Sequence, residues 1–152
     1  MQIENIKSIF LIITLIILIF DLVIGGLKRK PEQLFAAISF LVTLIIFMFV
    51  SIKLHHILRH DFGIPNTVTY ILGGVPVLYL FYKCKFQISQ TNFLILVSAV
   101  IFIFLAVVID LMTDANIVSF NGSDFIEEIL RILGTGFWMV YYIIFSLSIR
   151  KK

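Results

Sequence analysis

Hydrophobic residues along this chain gather into five long runs, at residues 9–27, 34–54, 68–82, 93–112 and 129–149, separated by short polar stretches. A helix crosses a hydrocarbon core about 30 Å thick with about 20 mostly apolar residues, each rising about 1.5 Å. Five transmembrane helices are therefore predicted. The third is the weakest, because it is short and contains Gly73, Gly74 and Pro76, which lower helix propensity and remove one backbone donor. Buried between neighbours it still spans, kinked at Pro76. As a re-entrant segment instead, it leaves four spans.

The first run follows a region holding both Glu4 and Lys7 rather than a basic leader, and Gly25 and Gly26 pass directly into Lys28, Arg29 and Lys30. With no small-residue cleavage site, it is predicted to remain as a helix. Pro31 suits the first turn of the second helix, where its missing N–H costs little. Asn66 and Thr67 are placed to cap the third. Ser123 or Asp124 is placed to cap the fifth, with Glu127 completing a capping box on Asp124. Asn121-Gly122 marks a turn, and Asn121-Gly122-Ser123 also matches a glycosylation acceptor, a pattern common by chance.

Lys and Arg in short connections favour the cytoplasmic side. Lys28, Arg29 and Lys30 end the first run, Lys83 and Lys85 the third, and Arg150, Lys151 and Lys152 the fifth. The opposite side sets Lys7, Lys53, Arg59 and Arg131 against Glu4, Asp61, Asp110, Asp114, Asp124, Glu127 and Glu128, an acidic balance. Five spans, with the N-terminus outside and the C-terminus cytoplasmic, keep the three basic clusters together. Four would place one of them outside.

Composition agrees with this pattern. Hydrophobic residues make up 61% of 152, against roughly 45–50% in soluble domains, and mean hydropathy is +1.10. A water-soluble monomer exposes apolar patches of only a few hundred Å², so most of this surface is expected to meet lipid. The expected fold is an all-α, polytopic membrane helix bundle, one domain over residues 1–152, multi-pass in the cell membrane. The net charge of +3 lies in clusters beside apolar runs, which reports membrane orientation and argues against nucleic acid. Cys84 is the one cysteine, so neither an intrachain disulfide nor a thiolate metal cage can form.

Candidate chemistry gathers at the predicted outer ends of the second, fourth and fifth helices. The second is expected to continue past the membrane through Lys53-Leu54-His55-His56-Ile57-Leu58-Arg59-His60-Asp61, with His56 and His60 on one face. Asp110 and Asp114 repeat that spacing, as do Glu127 and Arg131. Imidazoles and carboxylates meeting at one level, His56, His60, Asp110, Asp114 and Glu128, would suit a divalent metal such as zinc. The competing expectation is a solvated face of i,i+4 pairs. The same histidines would also titrate near physiological pH, so a proton is a second candidate ligand.

Intramembrane acids are costly and usually face an interior or a water path. Asp110 is the stronger candidate of two, since a carboxylate partner at Asp114 would raise its pKa or share a cation with it; Asp21 is expected to pair with Lys28 or Arg29 or to reach the inner interface. Gly73-Gly74 and Gly134-Thr135-Gly136 are expected to let helices approach closely. Trp138, Tyr141 and Tyr142 lie mid-helix and are expected to face neighbours or a pocket, whereas Tyr79 and Tyr82 suit an inner aromatic belt. No GxSxG, HExxH, Walker A or GxGxxG pattern is present.

Three classes of function follow. The foremost is a small membrane protein of sensory or accessory type, since its acidic, histidine-bearing outer face contrasts with cytoplasmic connections too short for an output domain. Such a protein would need a membrane or cytoplasmic partner protein. The second is an oligomeric transporter or channel lined by Asp110, Asp114 and the histidines, with Asp21 at its inner end. The third is a membrane-embedded metal-dependent hydrolase built on His56, His60, Asp110, Asp114 and Glu128, for which no residue nominates a substrate.

Overall fold

A computed structural model describes residues 3–23, 30–52, 54–115 and 122–150, with side chains at all of these except Ile3, Glu4, Lys30, His55, His56, Ile149 and Arg150. The basic triplets, Lys53 and Asn121 thus fall wholly or in part outside the described residues. The helices are α1 (Ile3–Val23), α2 (Lys30–Val50), α3 (Leu54–Phe62), α4 (Asn66–Lys83), α5 (Lys85–Ser89), α6 (Phe93–Asp114) and α7 (Ser123–Arg150). No strand occurs among the described residues. Long apolar runs take this form because a helix satisfies its backbone groups within one segment.

Among the described residues, four helices are long and apolar enough to cross a membrane: α1, α2, α6 and α7. The third apolar run, α4, is one continuous helix through Pro76 rather than a re-entrant hairpin. Its 18 residues rise roughly 27 Å at about 1.5 Å each, yet its polar start leaves it outside those four.

The second helix does not continue to Asp61 as expected. It ends at Val50, and α3 is a separate helix. Gly63 then stops α3 in a left-handed conformation (φ +66°), its N–H donating to the Arg59 carbonyl at 3.1 Å. Glycine takes that conformation without a Cβ penalty. Pro31 does lie in the first turn of α2, as expected.

The long helices alternate in direction. Ser8 of α1 donates to Ser51 just past α2 (2.9 Å), and Lys7 reaches Glu128 at the start of α7. Asn66 and Tyr70 meet Asp114 and Asp110, so α4 and α6 run antiparallel. At the opposite end, Ser146 of α7 donates to Asp21 of α1 at 2.8 Å. In space the order is α6, α7, α1, α2, α4. Contact between α4 and α6 is slight, so the ring they would close stays partly open.

The core follows a heptad. On α1, Lys7, Leu11, Thr14, Leu18 and Asp21 are buried; on α7, Arg131, Thr135, Trp138, Tyr142 and Phe145; on α2, Ala36, Ser39, Thr43, Ile46 and Val50. Alternating steps of three and four keep one seam facing the partner helices. Trp138 donates its indole N–H to Thr43 at 2.9 Å, and Thr43 donates to the Ser39 carbonyl at 2.7 Å. Phe35 packs edge-on against Phe145, ring centres 4.6 Å apart. Trp138, Tyr141 and Tyr142 are thus buried, while Tyr79 and Tyr82 are exposed. Large apolar side chains also cover much of the outward face, with Ile16, Leu41, Leu78, Phe104 and Leu147 all exposed.

The small residues divide. A Cβ on Gly134 would meet Ile103 Cγ1 at 2.6 Å and the backbone of α6 at 3.0 Å, so this glycine lets α6 and α7 touch. Gly74 has nothing within 4 Å of that position. Gly134→Ala should lower stability by about 1–3 kcal/mol through overpacking, whereas Gly74→Ala should be neutral or raise it by up to about 1 kcal/mol. Thermal unfolding in detergent ranks the two, and equal melting temperatures would contradict the close approach of α6 and α7.

Candidate functional site

One end of the bundle gathers the starts of α1, α4 and α7 with the end of α6. Asp110 and Asp114 share a face of α6 because they are four residues apart. Asn66 and Tyr70, also four apart, share a face of α4. The two faces meet rung against rung: the Tyr70 hydroxyl donates to Asp110, and the Asn66 amide donates to Asp114. Asn66 therefore does not serve as a side-chain cap; α4 begins after Pro65 with no such cap bond. Arg59 of α3 adds a 2.9 Å bond to Asp114. That pair is largely exposed and adds little stability.

On α7, Glu127 and Arg131 form the expected i,i+4 pair, 2.5 Å apart and mostly buried. Glu127 thus turns to Arg131 rather than completing a capping box. Glu128 accepts from Lys7 at 2.6 Å, and the Lys7 side chain is 2% exposed. Three cations, Lys7, Arg59 and Arg131, face four carboxylates, Asp110, Asp114, Glu127 and Glu128. Every one of those carboxylates has a protein partner.

Of the expected set His56, His60, Asp110, Asp114 and Glu128, the last four have described side chains, each with a protein partner. Among the described residues, no three His, Cys, Asp or Glu side chains are grouped to hold a metal ion. Asp110 and Asp114 bind separate partners rather than sharing a cation, and Glu128 is held on α7 by Lys7. His60 is 90% exposed and pairs with its neighbour Asp61. The His56 side chain lies outside the described residues, as does that of His55. At the other end, burial pushes the Cys84 thiol up from its ordinary value, which suppresses the reactive thiolate.

Sequence reasoning passed over Tyr70, and read Asn66 only as a helix cap and Lys7 only as a charge on the outer side. Their signal was present: 66 and 70 repeat the spacing of 110 and 114, and Lys7, Thr14 and Asp21 recur every seven residues. Below the α4–α6 rungs the two helices part around a cavity of about 490 Å³. Its walls are apolar, from Phe49, Gly74, Val77, Ile103, Val107 and Trp138, and Tyr70 and Arg131 reach it at the polar end.

Breaking a buried ion pair from one side leaves an uncompensated charge, a loss of about 3–5 kcal/mol, whereas replacing both partners with apolar residues is often neutral. Lys7→Met or Glu128→Gln alone should therefore lower the unfolding temperature markedly. The double variant Lys7→Leu with Glu128→Leu should recover most of it. Two small, additive losses would show that the pair does not hold α1 to α7.

Among comparisons with known proteins, one family model, described as Domain of unknown function (DUF8692), matches residues 5–145. No curated protein and no solved structure matches the chain.

Proposed function

The chain belongs to the DUF8692 family, a description that carries no activity, and from its geometry we propose a multi-pass membrane protein of sensory or accessory type. In this reading five helices span, α4 being the fifth, and the acidic end of the bundle lies outside. The support is the alternation of helix direction together with the basic residues Lys83 and Lys85 between α4 and α6, at the end remote from the carboxylates. A reporter fused after Lys152 should be cytoplasmic, and an extracellular reporter overturns this orientation.

One observation carries the sensory reading: the carboxylates at the outer end bond across helices. Glu128 ties α7 to α1, Asp110 ties α6 to α4, and Asp114 ties α6 to α4 and α3. A proton, cation or small polar ligand that claims one of these oxygens therefore frees a helix contact. That is a local electrostatic event with a two-state element to act upon. A single ion on Asp110, Asp114 and Glu128 would have to displace three different partners, so partner exchange is preferred here to a resident metal.

Trp138 is the sole tryptophan and lines both the seam and the cavity, so its emission reports helix packing. In the full chain reconstituted in nanodiscs, that emission is followed as the pH is lowered. Protonation removes the acceptor charge, so the emission should shift on the acid side. Asp110→Asn with Asp114→Asn should abolish most of that shift, whereas Asp61→Asn, exposed on α3, should leave it. Identical curves for all three proteins would refute the sensory role.

A second reading, a proton or ion path, is favoured by the buried polar positions Lys7, Thr14 and Asp21 along α1, accompanied by Thr43, Thr135 and Ser146. Flux in proteoliposomes that is lost in Asp21→Asn would support it. Flux at the level of empty vesicles would remove it.

A further inference from the structure

The cavity between α4 and α6 is a second candidate site, distinct from the outer carboxylates, and the geometry points to an extended alkyl chain as its occupant: the chain of an amphiphile whose hydrogen-bond-accepting head lies at Arg131. This inference rests on the membrane-spanning part of the reading above and is independent of any response at the outer cluster.

Four observations lead there. First, α4 and α6 are bonded at their polar ends by Tyr70–Asp110 and Asn66–Asp114 but hardly touch below, so the opening is a slot along the helices. From Thr67 to Leu78 it extends roughly 16 Å along α4, at about 1.5 Å per residue. Second, its volume of about 490 Å³ lies within the usual range of ligand pockets, roughly 300–1,000 Å³. Third, its walls are almost wholly aliphatic and aromatic, so a polar or charged body would lose its hydration without gaining partners. Fourth, the polar groups are confined to one end. Glu127 takes Nη2 of Arg131, and a guanidinium has five N–H donors, so it can hold a second acceptor such as a carboxylate or an ester carbonyl.

A polar head and an apolar slot of this length select a linear amphiphile lying parallel to the helices, with its head at the outer level. A compact apolar molecule would leave Arg131 unused, and a polar one would leave the slot unfilled. Gly74 sits in the wall and has open space where a side chain would begin, so residue size at that position sets how much of the slot is free.

The head chemistry is shared by free fatty acids and bilayer phospholipids, and two probes separate them. The full chain is reconstituted in phosphatidylcholine vesicles containing either palmitate or phosphatidylcholine with a diazirine in the alkyl chain, and cross-linked peptides are mapped. A diazirine near the head should label around Tyr70 and Leu111, and one near the chain end around Leu78 and Val100. Gly74→Trp places a bulky side chain at a wall position where a Cβ meets open space, and Val107→Phe narrows the slot from the α6 side. Each should reduce labelling of the slot by about tenfold, equivalent to about 1.4 kcal/mol.

Leu72→Trp, on the exposed face of α4, should leave slot labelling unchanged. Slot labelling by palmitate alone identifies a fatty acid as the occupant; labelling by both probes identifies membrane lipid. Label spread evenly over the outward apolar faces, and unaffected by Gly74→Trp and Val107→Phe, shows a membrane protein without this site and overturns the inference. So do chain-to-chain cross-links through α4 and α6, which would make a second copy the occupant. Absence of lipid label anywhere on the chain overturns the membrane reading as well.

Discussion

A polar group buried among apolar helices must find its partner within the protein, since neither packed hydrocarbon side chains nor lipid supplies one. That constraint organises this molecule. Trp138 answers Thr43, Ser146 answers Asp21, and Lys7 answers Glu128. Each bond fixes both the rotation and the height of one helix against another. Apolar contacts alone would allow neighbouring registers, because outward and inward surfaces differ little in hydrophobicity.

The bonds are unequally distributed, and the shape follows. Helices α1, α2 and α7 share a heptad seam with polar ties at both ends, and α6 is drawn against α7 by the absent side chain of Gly134. Helix α4 has no comparable seam. It lies along α2 and meets α6 through two polar rungs at one end. The part of the bundle least constrained by packing is therefore where the cavity forms, beside residues that carry charge. Binding sites between helices of a bundle arise in such places.

Pairing also changes what the acidic end can do. Carboxylates at helical spacing on neighbouring segments resemble a ligand set while their partners are unknown. Once Lys7, Arg59, Arg131, Tyr70 and Asn66 are brought against them, the same oxygens become cross-helix fasteners. The lower cavity and the upper cluster meet at Tyr70 and Arg131.

Chain order alone specified the all-helical architecture, four of the helices suited to a membrane, the buried aromatic group at Trp138, Tyr141 and Tyr142, and the Glu127–Arg131 pair. These are local: run length, and spacings of three or four residues, are sufficient to state them. The break at Ser51, the fate of Asn66, the pairing of Lys7 with Glu128 and the parting of α4 from α6 required the assembled bundle. Periodicity shows which residues share a face of one helix, but which face of another helix lies opposite depends on long-range packing and on how far backbones can approach. Gly74 and Gly134 illustrate the difference, since the same residue opens a cavity at one position and closes an interface at the other.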